Sequence, residues 1–182
     1  MSVLVTGGAG YIGSHTVVEL LKAGQEVVIV DNYSNSKPEV LNRIATITGK
    51  APTFYEVDVL DREALDAVFA KEEIDSVIHF AGYKAVGESV AKPIEYYHNN
   101  ITSSLVLCDV MRSHGVKKIV FSSSATVYGM NNVSPLTEDL PTSATNPYGY
   151  TKVMICPLYT SEAADELLCV DLGGRSIIKK KK

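Results

Sequence analysis

The chain has 182 residues, 46% hydrophobic and 21% charged, enough to bury a core without disulfides or metal and unlike a disordered polymer. A formal charge of −4 offers no basic field for nucleic acid, and no apolar run approaches the ~20 residues of a membrane span. Residues 1–5 carry no basic, cleavable leader signature, and the three cysteines Cys108, Cys156 and Cys169 are odd and sparse, so a reducing cytoplasm is expected rather than secretion or a disulfide framework.

Five short runs read as strands: residues 3–5, 27–30, 53–57, 76–80 and 118–121. Most are β-branched and nearly continuous, as in strands covered on both faces. Three helical stretches lie between them. Residues 12–23 carry Ile12, His15-Thr16, Leu20 and Ala23 at helical spacing. Residues 62–71 place Leu65, Val68 and Phe69 on one face. Residues 94–114 form a longer helix with Leu105, Val106, Cys108 and Met111. Gly24 and Gly115 follow two of these helices as C-terminal caps. The alternating order with short connections predicts an α/β, Rossmann-type doubly wound parallel sheet.

The first run leads straight into Thr6-Gly7-Gly8-Ala9-Gly10-Tyr11-Ile12-Gly13. Glycine runs alone are usually turns. This one follows a strand and opens a helix, the context in which Gly7, Gly10 and Gly13 let the backbone approach a pyrophosphate and the amides near Tyr11 and Ile12 face that anion. The second strand ends in Val30-Asp31, 18 residues after Gly13. A carboxylate there accepts bonds from the adenosine ribose and repels a 2′-phosphate, which favours NAD over NADP.

After Phe121 the pattern changes to a polar stretch with Pro135, Pro141 and Pro147, a loop region at the carboxyl end of a strand. Open α/β sheets place their active sites there. Ser122-Ser123-Ser124 opens the stretch, and Tyr148-Gly149-Tyr150-Thr151-Lys152 comes at its end. A tyrosine and a lysine four apart occur elsewhere too, at Tyr33 and Lys37, and by themselves are surface residues on a helix. Past the fifth strand the same spacing puts an ammonium on the helical face of a phenol, where it favours tyrosinate and makes Tyr148 a usable base. No ligand spacing among the histidines suggests a metal. His15, His98 and His114 read as helix or cap residues, His79 as packed at a strand end, and Cys108 as core.

These residues resemble a family. The glycine run, Asp31-Asn32, Asp58-Val59, Ser124 and Tyr148/Lys152 are similar to the extended short-chain dehydrogenase/reductases, and within them to the UDP-sugar 4-epimerases. The distinguishing runs are residues 77–89, Val-Ile-His-Phe-Ala-Gly-Tyr-Lys-Ala-Val-Gly-Glu-Ser, and residues 121–129, Phe-Ser-Ser-Ser-Ala-Thr-Val-Tyr-Gly. Related dehydratases carry an acidic pair where this chain has Ser124-Ala125, which argues against the dehydratase or reductase alternative. A non-catalytic NAD-binding module is the non-enzyme alternative.

The resemblance implies that Asp31, Asn32, Asn35 and Ser36 hold the adenosine ribose and that Asp58 and Val59 flank the adenine. It implies that Phe80, Ala81, Gly82 and Lys84 pass under the ribose and phosphates. Asn99 supports the nicotinamide side, and Ser124, Tyr148 and Lys152 carry the catalysis. The implied reaction is NAD-dependent interconversion of UDP-glucose and UDP-galactose at sugar C4 by a cytoplasmic enzyme, a homodimer when full-length.

The resemblance covers residues 1–154, an incomplete NAD-binding domain. Residues 155–182 are expected to be foreign to it: Pro157 breaks the helix that carries Lys152, and the segment ends in four lysines. The segment resembles translated adapter DNA followed by a poly-A run. Family members instead continue into a UDP-binding domain, so this chain is expected to be an inactive fragment.

Overall fold

In β1 (Ser2–Thr6) the alternation of side chains decides what the strand needs: Val3 and Val5 point one way, Leu4 the other, and the computed structural model covers both sides. The structure describes residues 1–158 with side chains, and the backbone alone of Tyr159 and of Leu168–Asp171. The chain divides into two compact units, Met1–Ala81 with Leu105–Lys118, and Gly82–Ser104 with Ile119–Lys182.

In the first unit β1 pairs in parallel with β2 (Glu26–Asp31) and β4 (Ile74–His79), and β2 pairs in parallel with β3 (Thr53–Glu56). The order is β3-β2-β1-β4. Parallel neighbours need a crossover, and α1 (Tyr11–Lys22), α2 (Glu39–Thr48) and α3 (Arg62–Lys71) supply them. Val5, Val27 and Ile29 form one core with Val17, Val18 and Leu21 of α1 and Ile44 of α2. Leu4, Val28 and Val30 are buried on the opposite face. α3 and α6 (Ser103–Ser113) stay outside that first core. They bury Leu65, Val68, Phe69, Leu107, Val110 and Met111 and are tied together by Arg62–Asp109 at 2.9 Å and His114–Asp66 at 3.0 Å. Helices therefore serve both faces of this sheet, as the doubly wound expectation requires.

α1 ends as its sequence predicts. Gly24 has φ +81°, and the amides of Gly24 and Gln25 turn back onto Leu21 and Leu20. Gly115 is also left-handed, at φ +69°. α2 was not among the expected helices, although Val40, Leu41 and Ile44 lie at helical spacing and pack on the same core.

Two expectations about helical faces need correction. α1 buries Gly13, Val17, Val18 and Leu21, not the stripe through Ile12 and Leu20. Gly13 must abut the turn at Gly7 and Gly8, and that contact sets the rotation of the helix. The long helix expected over 94–114 is interrupted: α5 (Pro93–Tyr97) passes through a π-turn, His98–Thr102, into α6. The wider turn breaks the register of apolar positions expected of one continuous helix. Leu105 is exposed, Cys108 is only half-buried rather than core, and Ser103 and Ser104 are inside.

The second unit contains α4 (Val86–Ala91), α5, the π-turn and α7 (Pro147–Ile155), with a short 3-10 turn at Ala125–Tyr128. β5 (Lys118–Phe121) enters this unit at Ile119 and neighbours β6 (Leu168–Asp171). α7 stops at Ile155, one residue before the Cys156-Pro157 pair, and a 3-10 turn takes over, as expected for a proline that cannot continue a helix. The expectation of a foreign segment after 154 falls mostly on residues 160–167 and 172–182, outside the described residues. Among the described residues no helix is long and apolar enough to cross a membrane, and no group of side chains is arranged to hold a metal ion.

Candidate functional site

In the first unit the glycine turn forms a tight cradle between the end of β1 and α1. Gly7 sits at φ +67°, and a Cβ there would lie 2.8 Å from the amide nitrogen of Ala81. A Cβ on Gly13 would collide with the Gly7 carbonyl oxygen and lie 2.8 Å from Gly8 Cα. The turn thus closes on the end of β4 and on α1, a packing only glycine permits. α1 starts with Gly10 at its N-cap, no side-chain cap and no acidic residue in its first turn. Tyr11 and Ile12 are 77% and 50% exposed. Bare amides, the positive end of a helix and a glycine cradle fit a diphosphate.

At the end of β2, Asp31 is 9% exposed and accepts three hydrogen bonds. It accepts the Ala9 amide at 3.0 Å, the Tyr33 amide at 2.9 Å and the Ser36 hydroxyl at 2.8 Å. Asn32 donates to Asp58 at 2.8 Å, and Asp58 also accepts the Leu60 amide at 2.9 Å. Val59 is buried, while Asn35 stays exposed on the loop. The Phe80 amide donates to the Thr6 carbonyl at 3.0 Å, and the Ala81 amide reaches the Thr6 hydroxyl at 3.4 Å. Gly7, Gly10, Gly13, Asp31, Asn32, Ser36, Asp58, Phe80 and Ala81 therefore belong to one connected network at the carboxyl end of the strands.

Sequence reading missed Tyr33 and Thr6 here. Tyr33 takes the left-handed φ of +55°, stabilised by its amide bond to Asp31, and stacks on Phe54 at 5.0 Å. Burial and the carboxylates of Glu56, Asp31 and Glu39 raise its phenol above the ordinary tyrosine value. Thr6 and His79, both buried, share a 2.6 Å hydrogen bond that ties β1 to β4. The tyrosine after Asp31-Asn32 was the only available signal.

The second unit carries the Tyr148/Lys152 pair on α7. Asn146 caps α7 by accepting the Gly149 amide at 2.8 Å, and Pro147 occupies the first turn. The helix presents Tyr148 and Lys152, both buried, on one face. Lys152 Nζ donates to the Ser122 carbonyl at 2.8 Å and lies 4.5 Å from the Phe121 ring centre and 5.8 Å from that of Tyr148. A buried ammonium held by a carbonyl and two aromatic faces is fixed in place beside the phenol. Ser124 caps the following 3-10 turn, accepting the Thr126 amide at 3.3 Å and its hydroxyl at 3.0 Å. Thr126 lies against Gly149, where an added Cβ would be 3.2 Å from the Thr126 carbonyl. The turn that carries Ser124 is thereby packed on the helix that carries Tyr148.

Asn99 donates to Asn100 at 3.0 Å, while Lys84 is exposed on the loop after Gly82. The residue that organises this region is Asn100, which spacing alone did not distinguish from its neighbour. Its side chain accepts the amides of Tyr83 and Asn99 and donates to the Tyr83 carbonyl and to Thr151 Oγ1. All four bonding positions of a buried amide are used.

The sequence profile of the NAD dependent epimerase/dehydratase family matches residues 3–167. The chain belongs to that family. It is 67% identical over 155 residues to a UDP-glucose 4-epimerase of Bacillus subtilis (strain 168), covering 85% of this chain and 46% of that protein. To a UDP-glucose 4-epimerase of Haemophilus influenzae it is 60% identical over 156 residues, covering 85% and 46%. The crystal structure of a UDP-glucose 4-epimerase from Bifidobacterium longum, in complex with NAD+ and UDP, superposes with a TM-score of 0.90 at 52% identity, over 95% of this chain and 52% of that one. This member of the epimerase/dehydratase family spans about half the length of the curated relatives it matches. The same Rossmann-type fold over nearly all of the chain accounts for the glycine turn, the β2 carboxylate and the α7 pair appearing in one sequence.

Proposed function

We propose that this chain is the cofactor-binding half of an NAD-dependent UDP-glucose 4-epimerase. The observation that carries this reading is the buried Tyr148/Lys152 pair on α7, with Lys152 anchored to Ser122, in a chain that also builds a glycine cradle and the Asp31 network. The identity of 67% to a relative of that name supports the choice of reaction.

NAD, when bound, accepts and returns a hydride at sugar C4. The chain's own residues do the rest. The glycine turn and the first turn of α1 hold the diphosphate, and Asp31, Asn32, Asn35 and Ser36 hold the adenosine ribose. Asp58 and Val59 flank the adenine. Phe80, Ala81, Gly82 and Lys84 line the ribose and phosphates, and Asn99 supports the nicotinamide end. Tyr148 takes the proton from the sugar 4-hydroxyl as the base and returns it as the acid. Lys152 stabilises the tyrosinate by charge, and Ser124 hydrogen-bonds the reacting oxygen. Rotation of the 4-keto sugar between the two hydride transfers inverts C4 with no net redox change.

Substrate contacts far from C4 supply much of the energy that orients the reacting centre. Half the length of the relatives is present here, so the 182 residues are expected to bind NAD without turning over UDP-galactose. The proposed setting is the cytoplasm, and the proposed assembly of the full-length protein is a homodimer. We also propose that close similarity to the 4-epimerases ends near residue 154, short of the residue 167 that the family profile reaches, which resequencing the coding DNA tests. The experiment for the reaction grafts residues 1–154 onto the remaining half of the Bacillus subtilis relative. The chimera is expected to interconvert UDP-glucose and UDP-galactose. A folded, NAD-loaded chimera without epimerisation would overturn the reading.

A further inference from the structure

Asp31 divides its bonds unequally between its two oxygens. Oδ1 accepts two donors, the Tyr33 amide at 2.9 Å and the Ser36 hydroxyl at 2.8 Å. Oδ2 accepts one, the Ala9 amide at 3.0 Å. Each carboxylate oxygen offers about two lone-pair sites, so Oδ1 is filled and the spare capacity lies on Oδ2. Ala9 sits in the middle of the glycine turn and is 2% exposed, so its amide has no solvent to turn to and depends on this acceptor.

We infer that Asp31 is a positioning residue for the diphosphate-binding turn as well as the ribose acceptor, and that Ser36 aims it. One oxygen then couples the adenosine ribose to the diphosphate of an adenine dinucleotide: the atom with room for a ribose hydroxyl is the atom that holds Ala9. The inference rests on the proposed dinucleotide site. It goes further in assigning Asp31 a role toward a ligand that has no ribose hydroxyl. D31N is not a neutral change, because its amide has one accepting and one donating end. With the NH2 toward Ala9 two donors oppose each other; with the NH2 reversed it meets the Tyr33 amide.

The test uses the 182-residue chain titrated calorimetrically with ADP and with 2′,3′-dideoxy-ADP, for wild type, D31N and S36A, with circular dichroism confirming the fold. D31N is expected to bind dideoxy-ADP about 10-fold more weakly than wild type, the scale of a lost hydrogen bond to a charged group. Removing a negative charge near a diphosphate would by itself tighten binding, so the sign of the change is decisive. S36A is expected to weaken both ligands by one smaller factor. The inference is overturned if D31N loses affinity for ADP but binds dideoxy-ADP as well as wild type or better. If D31N does not fold, S36A decides in the same way: equal losses on both ligands support the coupling, and a loss on ADP alone removes it. Wild type that binds neither ligand overturns the dinucleotide reading itself and this inference with it.

Discussion

Asn100 Nδ2 donates to Thr151 Oγ1 at 3.2 Å, joining two buried side chains that are 51 positions apart in the sequence. Thr151 passes its own hydroxyl hydrogen to the Tyr148 carbonyl at 2.7 Å. The loop at Tyr83, the π-turn and the helix of the proposed base therefore share one polar centre. Replacing Asn100 by Leu removes the hydrogen bonds that its side chain makes to the amide and the carbonyl of Tyr83. The expected loss is about 1–3 kcal/mol, at about 0.5–1.5 kcal/mol for each of the two bonds to Tyr83. Urea denaturation of the chain measures it, and N100L as stable as wild type would remove the clamp.

Gly13 tests the cradle. In G13A the new methyl meets the Gly7 carbonyl, backbone against backbone, so either α1 or the turn must move. An overpacked contact of this kind costs about 1–3 kcal/mol. NAD binding by the chain should fall well beyond what that instability explains, because the displaced groups are the ones that face the diphosphate. Calorimetric titration with NAD at a temperature where G13A is fully folded checks it.

Tyr148 separates chemistry from packing. Its ring is buried, and Y148F keeps the ring while removing the hydroxyl. The variant is expected to melt within a few degrees of wild type. In the chimera with the longer relative, kcat should drop about 10²–10⁴-fold, the range of a lost acid–base group. Steady-state assays with UDP-galactose decide; a chimera that keeps its kcat would assign the proton transfer elsewhere.

Acid should loosen the segment before α5 through Glu88. The Tyr96 hydroxyl donates to Glu88 at 2.9 Å, Lys92 pairs with it at 3.2 Å, and the Ala85 amide donates to the Tyr96 oxygen at 3.1 Å. The Tyr96 bond first, and Lys92 second, hold the Glu88 carboxyl below the ordinary glutamate value. A group depressed in the folded state stabilises fully above its unfolded value, and that contribution is lost as pH falls through the folded value. Wild type should lose stability over that acidic window more steeply than E88Q, whose side chain does not titrate. Parallel urea curves across pH 3–7 read the difference; identical slopes would show that Glu88 contributes nothing.

Much of this protein is legible in local sequence because its signals are local. Continuous apolar runs mark strands covered on both faces, and a glycine run after such a strand marks a turn that opens a helix. Asp31 at the end of the second strand and the four-residue spacing of Tyr148 and Lys152 follow from chain geometry within one element. Each pattern is written in residues that are neighbours along the chain, so the sequence by itself determined the Rossmann-type order, the glycine turn that opens α1 and the placing of Tyr148 with Lys152 on one helix.

Tertiary structure decided what distant partners decide. The inward face of α1 was set by Gly13 pressing on Gly7 and Gly8, not by the richest apolar stripe. The π-turn at His98–Thr102 broke the register of the expected long helix, and Leu105 lies outside. Asn99 and Asn100 are the same residue type side by side. Only the fold brings Tyr83 and Thr151 to the second of them, and only the fold brings Ala9 and Ser36 to Asp31. Hydrogen bonds across tens of residues leave no periodic trace. They arise where packing has excluded water, and there every buried donor must find an acceptor.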